Sequence, residues 1–166
     1  VSGYALTRDI QQQMLNIPNV GLACAIDIGE AANIHPANKQ DVGKRLALEA
    51  ERIAYGKDIV SRGPLFVSAT PEGDAMRVNF QYADGLKTSD GKAPGAFAVA
   101  GADKRFVWAD TKIDGNSVVV SSPKVPNPKY VRYGYAGYRG DCNLQNGAGL
   151  PAYPFRSDAY DYSNVK

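Results

Sequence analysis

The stretch Val20-Gly-Leu-Ala-Cys-Ala-Ile-Asp-Ile28 is apolar at every position except Asp27. A run that offers water no polar face fits a strand covered on both sides, as in a parallel sheet, and such a strand needs neighbours on both edges. Before it, Leu6, Ile10 and Met14 recur at helical spacing, and Pro18 ends that pattern. After it come the loop Gly29 to His35 and Pro36, which suits the first position of a second helix. Val42, Leu46, Ala50 and Ile53 share one face of that helix, and Gly56 is a good stop. The order helix, buried strand, loop, helix describes the end of an α/β domain, with one strand where a sheet requires several. A separate stretch of polypeptide is expected to supply the others.

From Lys57 onward the helical period gives way to alternating runs: Leu65–Ala69, Met76–Tyr82, Phe97–Gly101, Phe106–Asp110 and Ser117–Ser121. Turn signals separate them at Gly73, Asp84-Gly85, Asp90-Gly91 and Asp114-Gly115. Strands spaced by such turns predict an antiparallel sandwich of roughly a hundred residues. Two modules follow: residues 1–56, the end of an α/β domain, and residues 57–166, a β-sandwich. The tail from Pro123, rich in Pro, Gly, Tyr and Asn, reads as ordered loop over the surface.

A net charge of +2 without a Lys/Arg cluster argues against a nucleic-acid partner. No stretch approaches the roughly 18 apolar residues of a membrane span. The first residues show no signal peptide, and the missing initiating Met fits a processed or trimmed chain. Cys24 and Cys142 lack the paired spacing of a zinc or redox site, and with one histidine no metal or other cofactor is expected. A disulfide between them is an option, but two idle thiols are the better expectation.

The single histidine, His35, follows the apolar run at its carboxyl end, where open α/β folds bind ligands. A histidine base needs a partner on its second ring nitrogen, usually a carboxylate. Asp27 and Glu30 are the local candidates; Asp27, the single charge in its run, is the stronger and could equally cap nearby N–H groups. No Gly-x-Ser-x-Gly elbow occurs, and the nine serines fit termini, strands and turns. Cys24 in an apolar setting is a poor nucleophile. Tyr130 to Tyr138, with the following Asn, Asp and Arg residues, offers the flat faces and directed polar groups of a sugar site, or else an aromatic loop that fastens one module to another. Arg132 or Arg156 could meet an anionic sugar or pair with a local acid.

Asp27-Ile-Gly-Glu30, Asn33-Ile-His-Pro-Ala-Asn-Lys-Gln-Asp-Val-Gly-Lys-Arg-Leu-Ala47 and Tyr55-Gly56 resemble the C-terminal block of sialate O-acetylesterases and related carbohydrate acetylesterases. Val131-Arg-Tyr-Gly-Tyr135, Asn143-Leu-Gln-Asn146 and Gly149-Leu-Pro-Ala-Tyr-Pro-Phe-Arg-Ser-Asp158 are similar to that family's closing segment. The resemblance implies a metal-free SGNH-type serine esterase: a flavodoxin-like α/β domain with β-rich modules, secreted or periplasmic. It matches His35 to the catalytic histidine. The serine block and the oxyanion Gly and Asn are absent, and Ala32 stands where the general pattern has an acid three residues before the histidine. The expected partners are an acetylated sugar, sialic acid or a related glycan, and an N-terminal portion carrying the serine; no membrane is among them. A non-catalytic sugar-binding or interaction module is the alternative.

Overall fold

The computed structural model describes residues 2–159. Helix α1 spans Gly3–Gln13, with a short 3-10 turn over Met14–Asn16, and α2 spans Lys39–Ala54. Ten strands follow: β1 (Leu65–Glu72), β2 (Ala75–Gln81), β3 (Lys87–Thr88), β4 (Phe97–Ala100), β5 (Val107–Trp108), β6 (Asp110–Asp114), β7 (Ser117–Ser121), β8 (Tyr130–Tyr133), β9 (Leu144–Gln145) and β10 (Phe155–Arg156). They form two four-stranded antiparallel sheets, ordered β1-β2-β7-β6 and β10-β8-β4-β5, and the small pair β3-β9.

Alternation explains the first sheet. Met76, Val78 and Phe80 on β2 and Val118 and Val120 on β7 are buried while their neighbours are not, and Met76 faces Val120 as Val78 faces Val118. Gly73 and Gly115, at φ 59° and 58°, close the hairpins β1-β2 and β6-β7 in a conformation that other residues resist. Val78, Phe80, Val118 and Val120 pack in one core with Phe97, Val99, Val131, Tyr133 and Phe155 of the second sheet. Phe155 sits at its centre, stacked on Phe66 with ring centroids 4.4 Å apart.

The tail from Pro123 is therefore not a surface loop. It supplies β8, β9 and β10, and Val131, Tyr133 and Leu144 are wholly buried. Its alternation runs over only two to four residues at a time, too short to stand out among the Gly and Pro around it. Among the described residues no helix follows Ala54.

The expected strand at Val20–Ile28 is not formed. Residues 20–25 are extended but irregular, and only Cys24 of the run is buried. A strand is defined by its neighbour, and no strand among the described residues pairs with this one. Side chains hold it instead. Arg45 Nη1 donates to the Cys24 carbonyl at 2.6 Å, Arg62 Nη2 to the Val20 carbonyl at 3.3 Å, and the Tyr153 hydroxyl to the Leu22 carbonyl. A Cβ at Gly21 would lie 2.7 Å from the Glu49 side chain, so the segment presses close to α2 only through glycine.

Helix α2 begins later than expected: Asn38 is its cap, accepting from the Asp41 N–H at 3.1 Å, and Pro36 lies outside. Tyr55 caps its end and Gly56 follows at φ 63°. Its faces are inverted relative to a helix on an apolar core. Arg45, Glu49 and Arg52 face the rest of the chain, whereas Leu46 is 49% exposed and Ala50 is exposed with it. Helix α1 behaves alike: Ala5 is its buried residue, while Ile10, and Met14 just past its end, are 50% and 47% exposed. The inward faces are polar because they meet backbone carbonyls and carboxylates, which require donors.

Candidate functional site

His35 lies exposed on a loop between the extended run and α2. Glu30 closes that loop. Its Oε1 accepts from the Ala37 N–H at 2.7 Å and its Oε2 from Asn33 Nδ2 at 3.3 Å, while Asn33 Oδ1 accepts the His35 N–H at 2.9 Å. A single antiparallel bridge joins Glu30 and Asn33. The backbone of His35 is thus pinned on both sides, and its imidazole makes no hydrogen bond among the described residues.

Asp27 is not the imidazole's partner in this chain. Its two oxygens accept from Arg45 Nη1 and Nη2, each at 2.7 Å, in the paired geometry that makes arginine–carboxylate bonds strong. The same Arg45 holds the Cys24 carbonyl, so Asp27 and Arg45 fasten the turn before the His35 loop to α2. Spacing could not reveal this pair, because its members stand 18 residues apart on different elements.

A cleft of about 380 Å³ opens beside this loop, within the size range of ligand sites. Tyr4, Arg8 and Gln12 of α1 form one wall, and residues 22–26 form another. Ile34 and Pro36, the neighbours of His35, stand at its edge, and Tyr138 reaches over from the β region to within 3.7 Å of a Cβ at Gly29. Arg8 donates to the Gly134 and Ala136 carbonyls at 3.1 and 2.5 Å, tying α1 to the opposite wall. Arg8 Nε and Gln12 Oε1 are buried without a hydrogen-bond partner among the described residues.

Among the described residues no serine lines the cleft, and Cys24, which does, is buried. Ser61 donates to Glu49 at 2.7 Å, Ser117 to Asn79 at 2.8 Å, and Ser157 accepts from the Val131 N–H at 2.9 Å, all structural bonds. Ser163 lies outside the described residues. Cys24 and Cys142 are free and buried, and burial pushes both thiols up to about 12. No group of three or more His, Cys, Asp or Glu side chains among the described residues could hold a metal ion.

The aromatic segment divides. Tyr133 and Tyr153 are buried, and Asn146 binds the Arg62 and Tyr82 carbonyls at 2.9 and 3.1 Å, so these fasten the fold. Tyr138 and Trp108 are 52% and 54% exposed. Arg132 and Arg156 both pair with the buried Asp158, at 2.6 and 2.9 Å.

No protein-family model matches the sequence, and no curated protein matches it. Among solved structures the chain is similar to a carbohydrate acetylesterase from Xanthomonas citri, at 42% identity and a TM-score of 0.92 over 96% of this chain. The two helices and antiparallel sheets therefore have the arrangement found in a carbohydrate acetylesterase. The chain spans 37% of the length of that protein.

Proposed function

We propose that this chain is the C-terminal portion of a carbohydrate O-acetylesterase of the SGNH type, acting on sialic acid or a related sugar in a secreted or periplasmic setting. Residues 1–56 belong to its α/β domain and residues 57–166 to its β module. The observation that carries the reading is the close likeness, along nearly the whole chain, to a carbohydrate acetylesterase much longer than this chain. The exposed Ile10 and Met14 at the first helix and Leu46 of α2 support it, since they offer apolar surface that further strands and helices of an α/β domain would cover.

On this reading His35 is the general base. A serine supplied by the N-terminal portion attacks the acetyl carbonyl while the imidazole removes its proton. The imidazolium then protonates the departing sugar oxygen, and after water has attacked the acyl-enzyme the serine is regenerated with release of acetate. Glu30 and the Asp27–Arg45 pair act as positioning residues, holding the loop that carries His35. The acid that orients the imidazole comes from the N-terminal portion or is replaced there by a backbone carbonyl.

Acetate release by the full-length enzyme from O-acetylated sialic acid and p-nitrophenyl acetate tests this. His35→Ala is expected to lower kcat by roughly 10²- to 10⁴-fold on both esters with no change in melting temperature. Turnover at the wild-type rate would remove His35 from the mechanism. Hydrolysis of p-nitrophenyl acetate without the sialic acid ester would move the substrate to another acetylated sugar.

A further inference from the structure

A second cavity, of about 370 Å³, lies on the outer face of the β10-β8-β4-β5 sheet. Strand register builds it. Arg156 faces Arg132, Arg132 faces Ala98 and Ala98 faces Trp108, so these four form one row across the sheet on the side away from the core. Ala98 is the small member, leaving a depression between Trp108 on one side and Arg132 on the other. Phe106 and Tyr135 complete the walls.

Each wall is held in place. Arg132 gives Nε and Nη2 to Asp158, at 2.8 and 2.6 Å, and its guanidinium lies 3.8 Å from the Phe106 ring centroid and 4.9 Å from that of Tyr135. Nη1 is the nitrogen left to donate. Trp108, 54% exposed, is supported by Arg139 at 3.9 Å, which is itself paired with Asp141. An exposed indole in a fixed orientation, a shallow floor and one directed donor suit a ring with an apolar face and hydroxyls at its rim. Asp158 answers Arg132 and Arg156 together, and Asp141 answers Arg139, so the guanidiniums at the walls are held by ion pairs.

The depression adjoins the first cleft. Gly137 lines both cavities; Tyr138, next in sequence, lines the cleft, and Arg139, one residue on, stacks on Trp108. A glycan whose acetylated residue occupies the cleft would cross this three-residue strap to bring its neighbouring ring over Trp108.

We propose that this depression is a subsite for a pyranose of the same glycan. The proposal rests on the acetylesterase reading for the identity of the neighbouring cleft. Calorimetric titration of the full-length protein with lactose, a neutral disaccharide, tests it. Saturable binding is expected in the wild type. It should weaken about tenfold or more in Trp108→Ala and in Ala98→Leu, which fills the floor, and remain within about threefold in Trp108→Phe. Absence of lactose binding, or undiminished binding in both Trp108→Ala and Ala98→Leu, overturns the proposal. So does a large fall in melting temperature in Trp108→Ala with Ala98→Leu still binding, which would make Trp108 a packing residue. Failure of the acetylesterase reading has a different signature: no acetate release from any sugar ester while lactose still binds at Trp108.

Discussion

Arg45 and Asp27 meet through two hydrogen bonds of 2.7 Å, joining the second turn of α2 to the turn that precedes the His35 loop. With the Arg45 bond to the Cys24 carbonyl, this contact fixes where the loop leaves the extended run. A carboxylate that looks catalytic by its isolation in an apolar run is here committed to holding geometry.

Arg45→Ala should cost about 1.5–3 kcal/mol of stability, the range for hydrogen bonds to charged groups, because the Arg45 side chain is only 11% exposed and Asp27 26%. A double-mutant cycle with Asp27→Asn in urea melts checks it. Additive losses would show that the pair is not coupled.

Glu49 is the strongest tie between α2 and the β region. Its side chain, 3% exposed, accepts from Arg52, Arg62 and Ser61. Glu49→Leu should cost about 3 kcal/mol, the lower end of the range for breaking a buried pair, since Arg52 keeps access to water. The melting temperature measures it, and a shift of less than a degree would mean the network contributes nothing net.

Acid should loosen the same network. Burial alone would raise the Glu49 carboxyl, but the bonds from Arg62, Arg52 and Ser61 outweigh it and hold the group below its ordinary 4.5. Asp158 behaves alike: burial is outweighed by Arg132 and Arg156, and the carboxyl lies below its ordinary 3.8. A depressed folded value means the stabilisation is complete above the unfolded value and is lost as pH falls through the folded one. Stability should therefore drop below about pH 4.5, and Glu49→Gln should flatten that drop in urea melts at stepped pH. An unchanged slope would assign acid lability to other groups.

Cys24 and Cys142 should resist iodoacetamide at neutral pH, since burial holds both thiols near 12 and shields them from reagent. Mass spectrometry of the folded protein should show no adduct, and two once denaturant is added, matching the two free cysteines. Rapid labelling before unfolding would place one thiol at an accessible site.

Much of the architecture was legible from short-range pattern. The stripe Leu6, Ile10, Met14 identified α1, Gly56 marked the end of α2, and the runs at Leu65, Met76, Phe97 and Ser117 each became a strand. These are decided by neighbours within a turn or a hairpin, so the sequence displays them. The run Val20–Ile28 records what a segment can be buried against, and no strand among the described residues pairs with it. The candidate site was half legible: His35 stood out as the single histidine beside a loop, but its surroundings did not.

By itself, then, the sequence determined the helices, most strands, the turns that join them and the singular position of His35, since each depends on residues close in the chain. Only the tertiary structure decided that Asp27 answers Arg45, that Glu30 pins the His35 loop, and that the Gly- and Tyr-rich tail closes the core. It also decided that Ile10 of α1 and Leu46 of α2 are left exposed and that Trp108 stands beside Ala98. Those relations join groups far apart in the chain, and the charges, carbonyls and rings that meet in them leave no periodic trace.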